Sequence, residues 1–170
     1  MLALHTERLS LRTLVEADWP LFLRLHRDPT TMQYVFGDID EAYIRKGFEH
    51  RLPAWTPESA HWLSLVISER ATGQALGVAG WRLLRPGHAE LGILLLPHSH
   101  GQGYGTDCCL ALIDQARAFG LTSLESTVTD GNTASCRVLE KLGFTFERRE
   151  PQAYQIGEQW FDDLIYHYNL

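Results

Sequence analysis

The chain reads as an α/β (α+β) protein, one mixed sheet with helices on both faces. Three observations predict it. Short strand-like runs alternate with helical patterns along 170 residues. One run, 89–96, is apolar on both faces except for Glu90 and Gly92, as a central, doubly covered strand would be. That run breaks into His100-Gly101-Gln102-Gly103-Tyr104-Gly105-Thr106 and then into a helical pattern. A strand, a glycine turn and a helix start together hold phosphate, because backbone N–H groups converge there and the helix end adds partial positive charge.

The elements follow in order. Residues 7–14 alternate, with Leu9, Leu11 and Thr13 facing one way, and predict a half-buried strand. Asp18 is placed as an N-cap, with Pro20 in the first turn and Leu21, Phe22 and Leu25 behind it. Tyr43, Ile44, Gly47 and Phe48 share helical spacing and predict a helix over 40–50; Pro53 and Pro57 make 51–61 a loop. Strands at 62–69 and 75–83 flank a turn at 71–74, and a second turn at 85–88 leads into the strand 89–96. A helix over 107–119 stops at Gly120, a strand covers 122–129, and Asn132 caps a helix over 133–142 that Gly143 ends. Strands at 144–149 and 159–168 close the chain.

A chain of 170 residues is expected to form one domain over 1–170. It is long enough to bury roughly 70% of its unfolded surface. Apolar content of 45% and charged content of 21% are globular values. No apolar run approaches the roughly 18 residues that span a bilayer. The opening octet has too short an apolar run for a secretory signal, so a cytoplasmic protein without a membrane partner is expected. A net charge of −6 disfavours nucleic acid and leans toward a cationic small molecule or basic peptide. Cys108, Cys109 and Cys136 are an odd, unspaced set, which argues against structural disulfides and zinc. One of the adjacent pair is expected to face the core. His88, His98 and His100 lack carboxylate or cysteine partners at ligand spacing, so no metal is expected.

Three readings compete for the glycine loop. A Walker loop needs a lysine that does not follow Gly105. A dinucleotide fingerprint finds Gly101 and Gly103, with Glu125 about 20 residues on as a ribose-binding acid, but Thr106 stands where its third glycine belongs. The third reading rests on a second motif. Asn132-Thr133-Ala134-Ser135-Cys136-Arg137-Val138-Leu139-Glu140-Lys141-Leu142-Gly143-Phe144 has the form Asn-x-x-Ser-x-x-x-Leu-x-Lys-x-Gly-Phe. With it, the chain resembles the GNAT superfamily of acetyl-CoA-dependent N-acetyltransferases. The glycine loop is similar to that family's pyrophosphate motif, with His100 in its Gln/Arg position. Thr6-Glu7-Arg8-Leu9-Ser10-Leu11-Arg12 resembles the RimJ/RimL-type branch, which includes enzymes acetylating ribosomal-protein N-termini.

The resemblance implies a splayed pair of central strands in a mostly antiparallel sheet. It implies acetyl-CoA as co-substrate and an acceptor amine on a small molecule or a protein N-terminus. The diphosphate is expected on the loop amides of Gly101, Gln102, Gly103 and Gly105, with His100, Tyr104, Thr106, Asn132 and Lys141 also on the cofactor. Pantetheine is expected along Ile93, Leu94 and Leu95, where an N–H would stabilise the oxyanion. Glu90 is the candidate base; its other reading is a pair with Arg82 or Arg85. The tyrosine that many members place two residues before the motif lysine is Leu139 here. Ser135 is the candidate donor to the leaving thiolate, against a purely local backbone bond. Tyr154 is a second candidate, standing where RimL-type relatives carry a glutamate. Trp19, Tyr34, Phe36, Trp55, Tyr154 and Trp160 are candidate acceptor walls, and Asp38, Asp40 and Glu41 candidate attractors of an amine. A non-catalytic acyl-CoA-binding module is the alternative, and the closing strand could pair across a homodimer.

Overall fold

The computed structural model describes residues 2–35, 37 and 39–170. Its strands are β1 (Ala3–His5), β2 (Leu9–Thr13), β3 (Leu63–Glu69), β4 (Ala75–Arg85), β5 (His88–Leu95), β6 (Ser123–Thr129), β7 (Thr145–Ile156) and β8 (Gln159–Asn169). Its helices are α1 (Trp19–Arg27), α2 (Glu41–Glu49), α3 (Tyr104–Ala118) and α4 (Thr133–Lys141). The strands form one sheet in the order β1-β2-β3-β4-β5-β6-β8-β7. Every neighbouring pair is antiparallel except β5 and β6. This is the mixed sheet that the sequence predicts, mostly antiparallel as the resemblance implies, with β5 in its middle.

Alternation along the strands divides the core in two. On one face Leu9, Leu11, Leu65, Ile67, Trp81 and Leu91 meet α3 and α4 through Cys108, Leu112 and Leu139. On the other, Leu14, Val66, Val78 and Leu96 meet Phe22 and Leu25 of α1 and Ile44 and Phe48 of α2. This second cluster takes no residue from β6, β7 or β8. Among the described residues, the sheet beyond β5 therefore carries no helix on that side.

Several elements depart from expectation for identifiable reasons. β1 is too short to show a period, and it exists because β2 offers a free edge. α3 starts at Tyr104, three residues before the expected position. Gly103 adopts φ +80° as the N-cap, so Tyr104, Gly105 and Thr106 form the first helical turn. Asp18 stands at the start of α1 but does not cap it. Its carboxylate instead accepts two hydrogen bonds from Arg12, both 2.7 Å, and one from the Val15 amide at 2.8 Å. Burial works to raise the Asp18 carboxyl, yet these bonds outweigh it and hold it below the usual carboxylate range. Cys108 and Cys109 are both buried, because the apolar stripe of α3 is wide enough to take adjacent residues. β7 runs to Ile156 rather than 149, with two register shifts against β8.

Two glycines mark contrasting constraints. A Cβ on Gly80 would lie 1.8 Å from the Leu63 carbonyl oxygen, which is backbone and cannot swing away. Gly73 has φ +72° but open space around it. Gly80→Ala is expected to cost about 3 kcal/mol or more, lowering the melting temperature by about 6–12 °C. Gly73→Ala is expected to cost only about 1–2 kcal/mol, the left-handed backbone term alone. Thermal denaturation of both variants checks the contrast.

Candidate active site

β5 and β6 pair over three positions only, His88–Ser123, Ala89–Leu124 and Glu90–Glu125. Beyond Glu90 that ladder stops, while β5 stays bound to β4 as far as Leu95 and β6 to β8 as far as Thr129. Two parallel strands therefore part in mid-sheet. The Ser126 hydroxyl donates to the Leu91 carbonyl (3.2 Å) just past the last pairing. α3 and α4 follow these two strands, so their N-terminal ends lie beyond the carboxyl ends of the diverging pair. Crevices of this kind are where open α/β sheets bind ligands.

The Leu96 amide donates to Leu76 in β4 (2.8 Å). Strand alternation then turns the amides of Ile93 and Leu95 toward the open edge and that of Leu94 toward β4. The Leu94 side chain lies against the second core cluster. The Leu95 carbonyl already accepts from Thr31 Oγ1 (3.1 Å) and His100 Nε2 (2.9 Å). His100 thus folds back onto the end of β5 rather than out over the loop.

In the loop, Gly101 (φ +72°) and Gly103 (φ +80°) take left-handed conformations that favour glycine. The Asp107 amide, bonded to Gly103 O at 3.1 Å, is the first N–H with a partner inside α3. The amides of Tyr104, Gly105 and Thr106 are the unsatisfied donors of the helix start. The Tyr104 ring is buried, and its hydroxyl donates to Glu69 Oε1 (2.6 Å), so only its backbone faces a ligand. Arg8, which the sequence placed in the opening strand and its motif but gave no site role, clasps the loop. It donates to Gln102 O (2.8 Å), pairs with Asp107 (2.7 Å) and stacks on Tyr104 (4.8 Å).

At the start of α4, Asn132 Oδ1 accepts from the Ser135 amide (3.3 Å) as an N-cap. The Ser135 side chain is half-buried, and its hydroxyl has no partner among the described residues. Lys141 is exposed in the last turn. It stands about 9 Å along the axis from Ser135, so only a long ligand reaches both.

On the face of the sheet that carries α1 and α2, Glu90 accepts from Arg82 Nε (2.7 Å); Arg82, not Arg85, is its partner. Of the two readings of Glu90, the ion pair is the one formed here. Trp62, absent from the sequence-level candidates, lies over Gly92, whose Cβ would come within 3.2 Å of the indole. Across the gap, Asp163 stands between Thr129 of β6 and Glu150 of β7. Its Oδ1 is buried without a hydrogen-bond partner among the described residues. Burial first, then the charges of Glu150, Glu90 and Asp162, push its carboxyl up to about 6. The Tyr154 hydroxyl donates to Tyr34 O (2.8 Å) and contacts the Thr129 hydroxyl. Burial and then Asp163 push the Tyr154 phenol up to about 12, so it stays a donor at neutral pH.

The family described as "Acetyltransferase (GNAT) domain" matches residues 8–145. The chain belongs to the GNAT acetyltransferases. An L-methionine sulfoximine/L-methionine sulfone acetyltransferase of Pseudomonas aeruginosa is 28% identical over 169 residues, covering 95% of this chain and 94% of the relative. Among solved structures, an acetyltransferase from Agrobacterium tumefaciens is 30% identical with a TM-score of 0.80, covering 100% of this chain and 95% of that one. A spermidine N-acetyltransferase from Vibrio cholerae, in complex with CoA and spermine, is 16% identical with a TM-score of 0.83. It covers 96% of both chains and speaks to the fold alone.

GNAT enzymes move an acetyl group from acetyl-CoA to an amine, so this chain is an acyltransferase, and the non-catalytic alternative is not favoured. Of the candidate acceptor walls, Tyr34 and Tyr154 meet at the gap, but Trp19 and Trp55 do not. Trp19 packs edge-on against Phe48 (5.4 Å), and Trp55 joins Trp81 and Phe119 in the opposite core. Trp160 is exposed in the β7–β8 hairpin. Asp40 caps α2 and Glu41 pairs with Arg27 (3.5 Å), whereas Phe36 and Asp38 lie outside the described residues. Glu125, the ribose acid of the dinucleotide reading, is instead bonded to buried His88 (3.1 Å). Among the described residues no three His, Cys, Asp or Glu side chains converge as metal ligands, and no helix is long and apolar enough to cross a membrane.

Asp163 carries the clearest signature of a working group, a carboxyl held against its own ionisation. Its folded-state proton affinity exceeds that of the unfolded chain, so ionisation costs native stability. That cost is absent below about pH 4 and complete above about pH 6. Asp163→Asn is therefore expected to melt higher than wild type at pH 7.5. The difference should shrink through pH 6 and vanish near pH 4. Melting curves across that range check it.

Proposed function

We propose that the chain transfers the acetyl group of acetyl-CoA to the primary amine of a small molecule, by direct attack on the thioester. The parting of β5 from β6 beside the start of α3 carries this reading. The diphosphate sits on the amides from Gly101 to Thr106, where glycine backbone and helix start favour an anion. The pantetheine arm pairs with the open edge at Ile93 and Leu95. The Ile93 N–H stabilises the oxyanion that forms as the amine adds to the carbonyl. Asn132 fixes the start of α4, and Ser135 donates to the departing thiolate. His100 and Lys141 flank the cofactor at the two sides of its path.

An alkyl amine of pKa about 10 needs about 4 kcal/mol to lose its proton at pH 7. Glu90 and Asp163 face one another across the gap as the acids that can take it, directly or through water. Asp163 is the better base, because its carboxyl near 6 is poised close to neutrality while Glu90 is bound to Arg82. A small acceptor is favoured over a ribosomal-protein N-terminus, the substrate of the RimJ/RimL-type branch. Tyr154 ties the turn at Tyr34 to the end of β6 and narrows the approach. The Pseudomonas relative is also named for small amino-acid substrates.

Thiol release from acetyl-CoA with a panel of small amines tests the reading; binding of CoA without turnover on any amine would overturn it. The rate is expected to rise with pH through about 6, the range in which Asp163 ionises. Asp163→Asn should lower kcat and remove that rise. If it does neither and Glu90→Gln does both, Glu90 is the base. Gly103→Val should weaken CoA binding about tenfold or more by calorimetry, since a β-branched residue does not tolerate φ +80°.

A further inference from the structure

Arg51 follows α2 and turns its side chain back over that helix, donating from Nη1 to Gly47 O (2.5 Å). A guanidinium has five N–H donors, so four remain. Among the described residues no carboxylate lies within 4.0 Å of them. The guanidinium stacks at 5.6 Å from the Phe22 centroid and 5.9 Å from that of Trp62. Burial, and then repulsion from Arg82, lower its proton affinity from the usual arginine range. Arg82 lies 5.5 Å from the centroid of the same Trp62 ring. Two cations therefore converge on one indole, and among the described residues the one carboxylate paired there, Glu90, is held by Arg82. One positive charge is left over.

That surplus borders the acceptor approach. Trp62 covers Gly92, next to the Ile93 amide at the open edge of β5. On the far side of the gap stand Asp163 and Glu150. A molecule entering between them meets positive charge on the α2–β4 side and negative charge on the β7–β8 side. A free α-amino acid carries an ammonium and a carboxylate on one carbon and matches both. A polyamine or a protein N-terminus has no carboxylate beside its amine and leaves the surplus charge unanswered. We propose that Arg51, seated on Trp62, binds the carboxylate of the acceptor, and that the acceptor is a free α-amino acid. This rests on the acetyl-transfer reading above and narrows its substrate class.

The test measures kcat and KM for a panel of L-α-amino acids, L-methionine sulfone among them, each beside its primary amide. Wild type should prefer the free acids by about 10- to 100-fold in kcat/KM, the span of one charge-assisted contact. Arg51→Gln should bring that ratio close to one, chiefly by raising KM for the acids, and leave turnover of the amides in place. Arg51→Lys should recover part of the preference, because charge without the planar fork is retained. Unchanged CoA binding in both variants shows that the fold is intact. Wild type that acetylates amines with no preference for the free acids overturns the inference and leaves acetyl transfer standing. A preference that survives in Arg51→Gln also overturns it. Absence of turnover on any amine removes the acetyl-transfer reading and this inference with it.

Discussion

The separation of two parallel strands after a single short stretch of pairing is the constraint on which the molecule is built. Each strand is fully bound on its outer side, β5 to β4 and β6 to β8, so neither can close the gap by shifting. Backbone groups left open inside a sheet are costly unless something bonds them, roughly 1–3 kcal/mol for each one buried. The chain answers part of this with the Ser126 hydroxyl on Leu91 and with Thr31 and His100 on Leu95. What stays open is a short run of edge centred on Ile93. A thin ligand that carries its own amides can bond there without any rearrangement of the sheet.

The sequence made the backbone geometry at the starts of α3 and α4 legible and left the charged groups around the gap obscure. Glycines at 101 and 103 have a local cause, positive φ, and local causes can be read from composition. The same holds for Asn132, whose capping bond spans three residues. Asp163, Trp62 and Arg51 owe their character to neighbours far along the chain. Asp163 is perturbed by Glu90, which approaches only because β8 crosses back to lie beside β6. A visible clue was present in Asp162-Asp163, two adjacent acids between Phe161 and Leu164 in the closing strand. Trp19 and Trp55 show the converse. Aromatic residues near a cleft in sequence are drawn into the core unless topology prevents it.

Both charged groups on the acceptor side are unfavourably placed for stability. A carboxyl is crowded by three others, and a half-buried guanidinium lies beside a second cation. Proteins tolerate such arrangements where binding or chemistry makes use of them. The stabilising contacts lie elsewhere: in the two apolar clusters, and in the Arg12–Asp18 pair that fixes the chain between β2 and α1. This division lets the working face be polar and strained while the remainder stays close-packed.

The outer margins of the sheet are built quite differently from its internal gap. β1 is only three residues long, and β7 carries Glu147, Arg148, Arg149 and Glu150 along a strand that twice loses register. Short margins, alternating charge and bulges are the devices by which natural sheets refuse a further strand. Uncontrolled addition of strands along the rim is thereby discouraged. A protein that must keep one backbone edge unbonded does so in its interior, where another polypeptide cannot reach it.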